Sequence, residues 1–128
     1  MSVVISEYKD TLLKRFMSEK QRLLSFLPDA IIIEHVGSSA VGIGGKNIVD
    51  ILIGVSDKDE MLRIRDILKE NGYFEGYDSH DDRIFLASSK NETGDGDFHI
   101  HICPITCNSY KDFILLRDFL KSNPEKSK

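Results

Sequence analysis

The stretch from Glu34 to Val55, EHVGSSAVGIGGKNIVDILIGV, constrains the fold more than any other part of the chain. Two short apolar runs, Ala30 to Val36 and Asn47 to Val55, bracket a connection holding Gly37, Gly42, Gly44 and Gly45 together with Ser38, Ser39 and Lys46. The first run is β-branched and both suit buried strands. Glycine lacks the Cβ that blocks close approach, so a strand leading into Gly37-Ser38-Ser39 can present backbone N–H groups and hydroxyls to a phosphate. Lys46 supplies a point charge for the same anion. The spacing fits neither a P-loop nor the dinucleotide fingerprint. Glycine content alone also fits a plain connecting loop.

Around this segment the pattern alternates between periods. From Ser6 to Leu27 the apolar residues Tyr8, Leu12, Phe16, Leu23, Leu24 and Leu27 recur at mostly helical spacing, and Pro28-Asp29 ends the run. Asp57 is placed to cap a helix with Met61, Ile64, Ile67 and Leu68 inward, closed by Asn71-Gly72. Tyr73 to Tyr77 and Arg83 to Ser88 read as short strands, and NETGDG, Asn91 to Gly96, as a hairpin turn. Asp97 to Cys103 then alternates, with Phe98, Ile100 and Ile102 on one face and Asp97, His99 and His101 on the other. A last helix from Asn108 or Ser109 is expected to turn Tyr110, Phe113, Ile114, Leu116, Phe119 and Leu120 inward. It stops at Ser122-Asn123-Pro124, leaving Glu125 to Lys128 as a solvated tail. This order predicts one α/β domain over residues 1–128, a mixed sheet flanked by helices.

Composition narrows the partners. The 128 residues carry a formal charge of −4 and no basic run, which argues against a duplex nucleic acid partner. No stretch of about eighteen apolar residues and no secretory leader occurs, so neither a membrane span nor export is expected. The two cysteines, Cys103 and Cys107, match neither a redox CxxC pair nor half of a zinc site. Two reduced thiols in the cytoplasm are the expectation.

Several residues bear on chemistry. Asp50 interrupts an otherwise apolar strand, and a carboxylate there needs a partner, a hydrogen bond or a metal. A structural cation, Arg83 or Lys46, serves as well as a site role. Imidazoles two apart on a strand can converge on one ion, and His99 and His101 with a carboxylate suit Zn²⁺ or another transition metal. A hydrogen-bonded histidine pair on a polar sheet face is the alternative. Glu34 and His35 point to opposite faces, and His80 stands in the polar loop DSHDD. Arg83 can clamp a phosphate bidentately or pair with Asp50.

Read together, Tyr8 with its helix, EHVGSSAV (34–41), KNIVDIL (46–52), DRIF (82–85), His99-Ile100-His101 and RDFL (117–120) followed by Asn123-Pro124 resemble, in that order, the GrpB family of small bacterial proteins with the nucleotidyltransferase superfamily fold. The resemblance covers nearly the whole chain. It implies a nucleotidyltransferase-like sheet that binds a nucleotide or other phosphorylated small molecule. Gly37, Ser38, Ser39, Lys46 and Arg83 are the implied phosphate contacts. Asp50, His99 and His101 are the implied catalytic and metal-binding set, with Mg²⁺ or Mn²⁺ favoured over Zn²⁺. Nucleotidyltransferases typically carry an Asp-x-Asp pair on this strand, whereas here Ile48 and Leu52 stand two positions to either side of Asp50. Metal-dependent nucleotidyl transfer is therefore weighed against a non-catalytic binding or regulatory module. A third reading is a metal-dependent hydrolase that uses Asp50, His99 and His101 as ligands and Glu34 or His35 as base. Family chains also run further at the C-terminus, so an apolar patch that could support a homodimer is expected near the last helix.

Overall fold

In the computed structural model, which describes residues 2–28, 31–36, 48–76, 82–88 and 98–122, the elements follow in a fixed order. They are α1 (Ser2–Leu24), β1 (Ile32–Val36), β2 (Val49–Val55), α2 (Lys58–Glu70), β3 (Phe74–Glu75), β4 (Ile84–Ala87), β5 (Phe98–Pro104) and α3 (Asn108–Ser122). The strands form one sheet in the order β1-β2-β5-β4-β3. β2 runs parallel to β5, and the other neighbouring pairs are antiparallel. The expected mixed sheet flanked by helices is what the chain adopts. The turn at 91–96 and the tail at 125–128 lie outside the described residues, as do the Tyr8 side chain and the inward position expected for Leu120. None of the described helices is long and apolar enough to cross a membrane.

β2 is almost continuously apolar because both of its faces are covered. Val49, Ile51, Ile53 and Val55 join Ile33, Ile84, Leu86, Ile100 and Ile102 on one side. There they meet Leu12, Phe16, Leu23 and Leu27 of the α1 segment and Met61, Ile64 and Leu68 of α2. Leu52 faces the other side, in a smaller core with Val36 and Cys103 against Tyr110, Phe113 and Ile114 of α3. Burial pushes the Cys103 thiol up to about 12, with Asp82 and Cys107 adding to it, so Cys103 stays protonated as a small apolar filler.

Local signals set the helix ends. The Asp57 side chain accepts from the Glu60 N–H at 2.8 Å, and Glu60 reaches back to the Ser56 N–H at 3.0 Å, which satisfies two donors at the start of α2. At its other end Gly72 takes φ +97°, a conformation that favours glycine. Arg22 ties the two helices of the larger core together. It donates to the Asn71 carbonyl at 2.8 Å and to the Tyr73 hydroxyl at 3.1 Å while pairing with Glu19 at 3.3 Å. Glu19 occupies a buried position on the inward stripe of α1. Burial raises its pKa, and Arg22 and Arg15 oppose that rise.

The last helix departs from expectation. Leu116 and Phe119, expected inward, are 54% and 47% exposed. The sheet-facing stripe is Tyr110, Phe113, Ile114 and Arg117, because Arg117 turns toward β1 to meet Glu34 at 3.0 Å. The ion pair thus adds to the packing of Tyr110, Phe113 and Ile114 in choosing one face of a helix that carries apolar residues all round. Leu24, one of the apolar residues at mostly helical spacing, is exposed near the end of α1.

Gly54 is what lets α3 lie close to the sheet. A Cβ built there meets Tyr110 Cε2 and Ile105 Cγ2 at 2.7 Å each. Gly54→Ala should therefore cost about 1–3 kcal/mol by overpacking. Chemical denaturation with an unchanged m-value would register that loss, and a stability equal to wild type would show that α3 can shift without cost.

Candidate functional site

Asp50 is the single charged residue in β2, and strand register determines what surrounds it. In the parallel ladder Asp50 is level with His99 and Leu52 with His101. Period two then puts Asp50, His99 and His101 on the α3 side of the sheet. One Asp50 carboxylate oxygen, Oδ1, lies 3.9 Å from His99 Nδ1 and 3.9 Å from His101 Nε2. All three side chains are largely buried while keeping some exposure. At 3.9 Å these atoms are beyond hydrogen-bond reach. Each imidazole has two ring nitrogens to offer and the carboxylate two oxygens.

Aromatic rings frame the histidines. Phe85, paired with His101 across β4 and β5, meets His99 edge-on at 5.1 Å and His101 at 5.3 Å. Phe113 of α3 closes on His101 from the other side at 4.7 Å. The Arg83 guanidinium lies over Phe113 at 5.9 Å. Gly76 permits this arrangement, since a Cβ there would come within 2.5 Å of the Phe85 ring. Sequence reading did not single out Phe85 or gave Phe113 only a packing role, because their contacts with the histidines are tertiary.

The neighbouring β1 strand separates Glu34 from His35, as alternation requires. His35 stacks on Phe16 at 4.6 Å, on the α1 side of the sheet and away from Asp50. It is therefore not available as the base of a hydrolase at this site. Glu34 is on the Asp50 side, but it is engaged by Arg117, which also reaches the His35 carbonyl at 3.5 Å. Burial disfavours the charge on Arg117, yet its hydrogen bonds to Glu34 and Asp118 outweigh that and raise its pKa. The Tyr110 hydroxyl next to this pair is held above its ordinary pKa, first by burial and then by Glu34. A basic residue four places after Phe113 on an apolar helix was the sequence signal for this pair.

Gly37, Ser38, Ser39, Lys46, Asp97 and His80 lie outside the described residues. The ends of the glycine-serine segment do not: Val36 is paired with Asp50, and Ile48 immediately precedes β2. Both ends of that connection are thus beside the Asp50 cluster.

The donor set can be tested against a metal. Among the described residues no group of three His, Cys, Asp or Glu side chains is placed to hold an ion. The position of a second carboxylate is taken by Leu52, which is fully buried under α3. Mg²⁺ is commonly held by one or two protein carboxylates plus substrate phosphates, so Asp50 fits as the protein ligand of an ion that arrives with phosphate. Among the described residues a preformed three-ligand centre does not fit.

Known proteins bear on the same geometry. The family model described as "GrpB protein" matches residues 2–128. The UPF0157 protein YqkA of Bacillus subtilis is 29% identical over 98% of this chain, which spans 37% of YqkA. The crystal structure of the conserved protein GrpB from Enterococcus faecalis superposes with a TM-score of 0.72 at 23% identity, covering 91% of this chain and 71% of that one. The Cid1 poly(U) polymerase with MgGTP bound superposes with a TM-score of 0.55 at 17% identity, covering 90% of this chain and 38% of Cid1. These likenesses to solved structures concern the fold, which is nucleotidyltransferase-like.

Proposed function

The chain belongs to the GrpB family, and from that premise we propose that it binds a nucleotide or other phosphorylated small molecule at the Asp50 end of the sheet. The observation that carries this reading is the convergence of Asp50, His99 and His101 beside the two strand ends that lead into the glycine-serine segment. In this reading Gly37, Ser38, Ser39 and Lys46 hold the phosphates, while Arg83 stands over Phe113. Asp50 supplies the carboxylate for a Mg²⁺ or Mn²⁺ ion that accompanies those phosphates, and His99 and His101 line the pocket. The ion would neutralise phosphate charge. The MgGTP of the Cid1 structure supports the reading by analogy of fold.

Leu52 favours binding without nucleotidyl transfer. Its place in the smaller core leaves Asp50 as the lone carboxylate of the described β2 strand, where two-metal chemistry calls for more. Titration calorimetry with ATP and with inorganic tripolyphosphate, each with and without Mg²⁺, tests the proposal on the intact chain. Binding of both, tightened by Mg²⁺, is expected. Failure of both to bind under either condition would remove the reading. Pyrophosphate release in the presence of an acceptor would show transfer instead of binding alone.

A further inference from the structure

Separate from the Asp50 cluster, a cleft of about 230 Å³ opens between the start of β4 and α3, lined by Arg83, Ser109, Asp112, Phe113 and Leu116. Residues 109, 112, 113 and 116 form one face of the helix, and Arg83 closes the opposite wall. Phe113 is shared: one part of its surroundings is His101, another is this cleft. Ser109 is fixed there by donating to Asp82 at 2.7 Å. The volume is below the range of about 300–1,000 Å³ for a site that engulfs a whole small molecule, so the cleft suits one part of a larger ligand.

Its chemistry is selective. Phe113 and Leu116 offer flat and aliphatic surface to an aromatic ring. Arg83 offers only donors and Asp112 only acceptors. A heterocycle placed between them is favoured when it carries a carbonyl or ring-nitrogen acceptor toward Arg83 and an amine toward Asp112. Adenine, guanine and cytosine each have an exocyclic amine, whereas the Watson–Crick donor of uracil is an N3–H set between two carbonyls, so turning it to Asp112 also brings a carbonyl oxygen against the carboxylate. Distance agrees as well. Arg83 immediately precedes Ile84, which pairs with Ile102, so it stands near the level of Cys103, while Asp50 is level with His99. Four residues of strand separate those levels by about 13 Å, comparable to the reach of a ribose and a phosphate chain.

Resting on the phosphate reading above, we propose that this cleft is the base subsite, and that it selects nucleotides whose base carries an exocyclic amine. Calorimetry with ATP, GTP, CTP, UTP and tripolyphosphate, all with Mg²⁺, tests it on the intact chain and on Asp112→Ala. Asp112 is exposed on the helix, so circular dichroism should show Asp112→Ala folded like wild type. The expected result is that at least one amine-bearing nucleotide binds about tenfold or more tighter than UTP, the usual worth of a hydrogen bond to a charged group. Asp112→Ala should bring that nucleotide to the UTP level and leave tripolyphosphate binding unchanged. Equal affinity for tripolyphosphate and every nucleotide overturns the subsite while leaving the phosphate reading standing. So does UTP binding most tightly, or an Asp112→Ala protein that still prefers the amine-bearing base. If neither tripolyphosphate nor any nucleotide binds, both proposals fall.

Discussion

Leu52→Asp is expected to unfold the chain rather than complete a carboxylate pair with Asp50. The substitution would install the Asp-x-Asp spacing typical of nucleotidyltransferases, but Leu52 is fully buried between Val36 and Cys103 beneath α3. Removing a buried leucine costs about 2–5 kcal/mol. An unpaired carboxylate in the same place adds several more, or is forced into its neutral form. Total stabilities of about 5–15 kcal/mol leave little after such a loss. Leu52→Met, which keeps volume and polarity, should cost less than about 1.5 kcal/mol and serve as the control. Thermal melts by circular dichroism separate the two variants. A folded Leu52→Asp protein would mean that α3 lifts readily from the sheet and that the second carboxylate position is accessible to solvent.

Asp50→Asn should erase any enhancement of triphosphate binding by Mg²⁺ while keeping the fold. It retains the shape of the side chain and removes the hard anionic oxygen that a divalent ion requires. Ser38→Ala should act differently in kind. It removes one hydroxyl contact and weakens binding by about 0.5–1.5 kcal/mol, with the Mg²⁺ dependence intact. Calorimetric titrations of the three proteins with and without Mg²⁺ distinguish these effects. If Asp50→Asn unfolds and the wild type has no Mg²⁺ effect to lose, Asp50 is a structural partner of the histidines.

Elements whose signals are local were legible before the structure. The alternation of His99 and His101 with Ile100 and Ile102 assigned the faces of β5, and the fully buried isoleucines agree. Asp57 and Asn71-Gly72 marked both ends of α2 because caps depend on residues a few positions apart. The apolar run after Lys46 marked β2 as buried, with Asp50 as its exception. What sequence could not resolve was decided between distant segments. Arg117 faces the sheet together with Tyr110, Phe113 and Ile114, so Leu116 and Phe119 face outward, and its partner Glu34 lies on the edge strand β1, far away in the sequence. Alternation along β1 separated Glu34 from His35, but the choice of face came from Phe16 on α1. The cleft beside Arg83 needed the end of one loop and the start of another helix to meet.

The parallel pairing of β2 with β5 has a kinetic consequence. Its partners are separated in the chain by α2, β3 and β4, so this central ladder closes the longest loop among the strand pairings. The β1–β2 and β4–β5 pairs join consecutive strands and need less chain entropy to form. Contacts of long sequence separation slow folding, and the β2–β5 ladder should be the slow step in assembling this sheet. Asp50 and His99 face each other across that ladder. Nascent or partly folded chains can therefore contain both strand pairs and still lack the cluster, which comes into being only when the two halves of the sheet join.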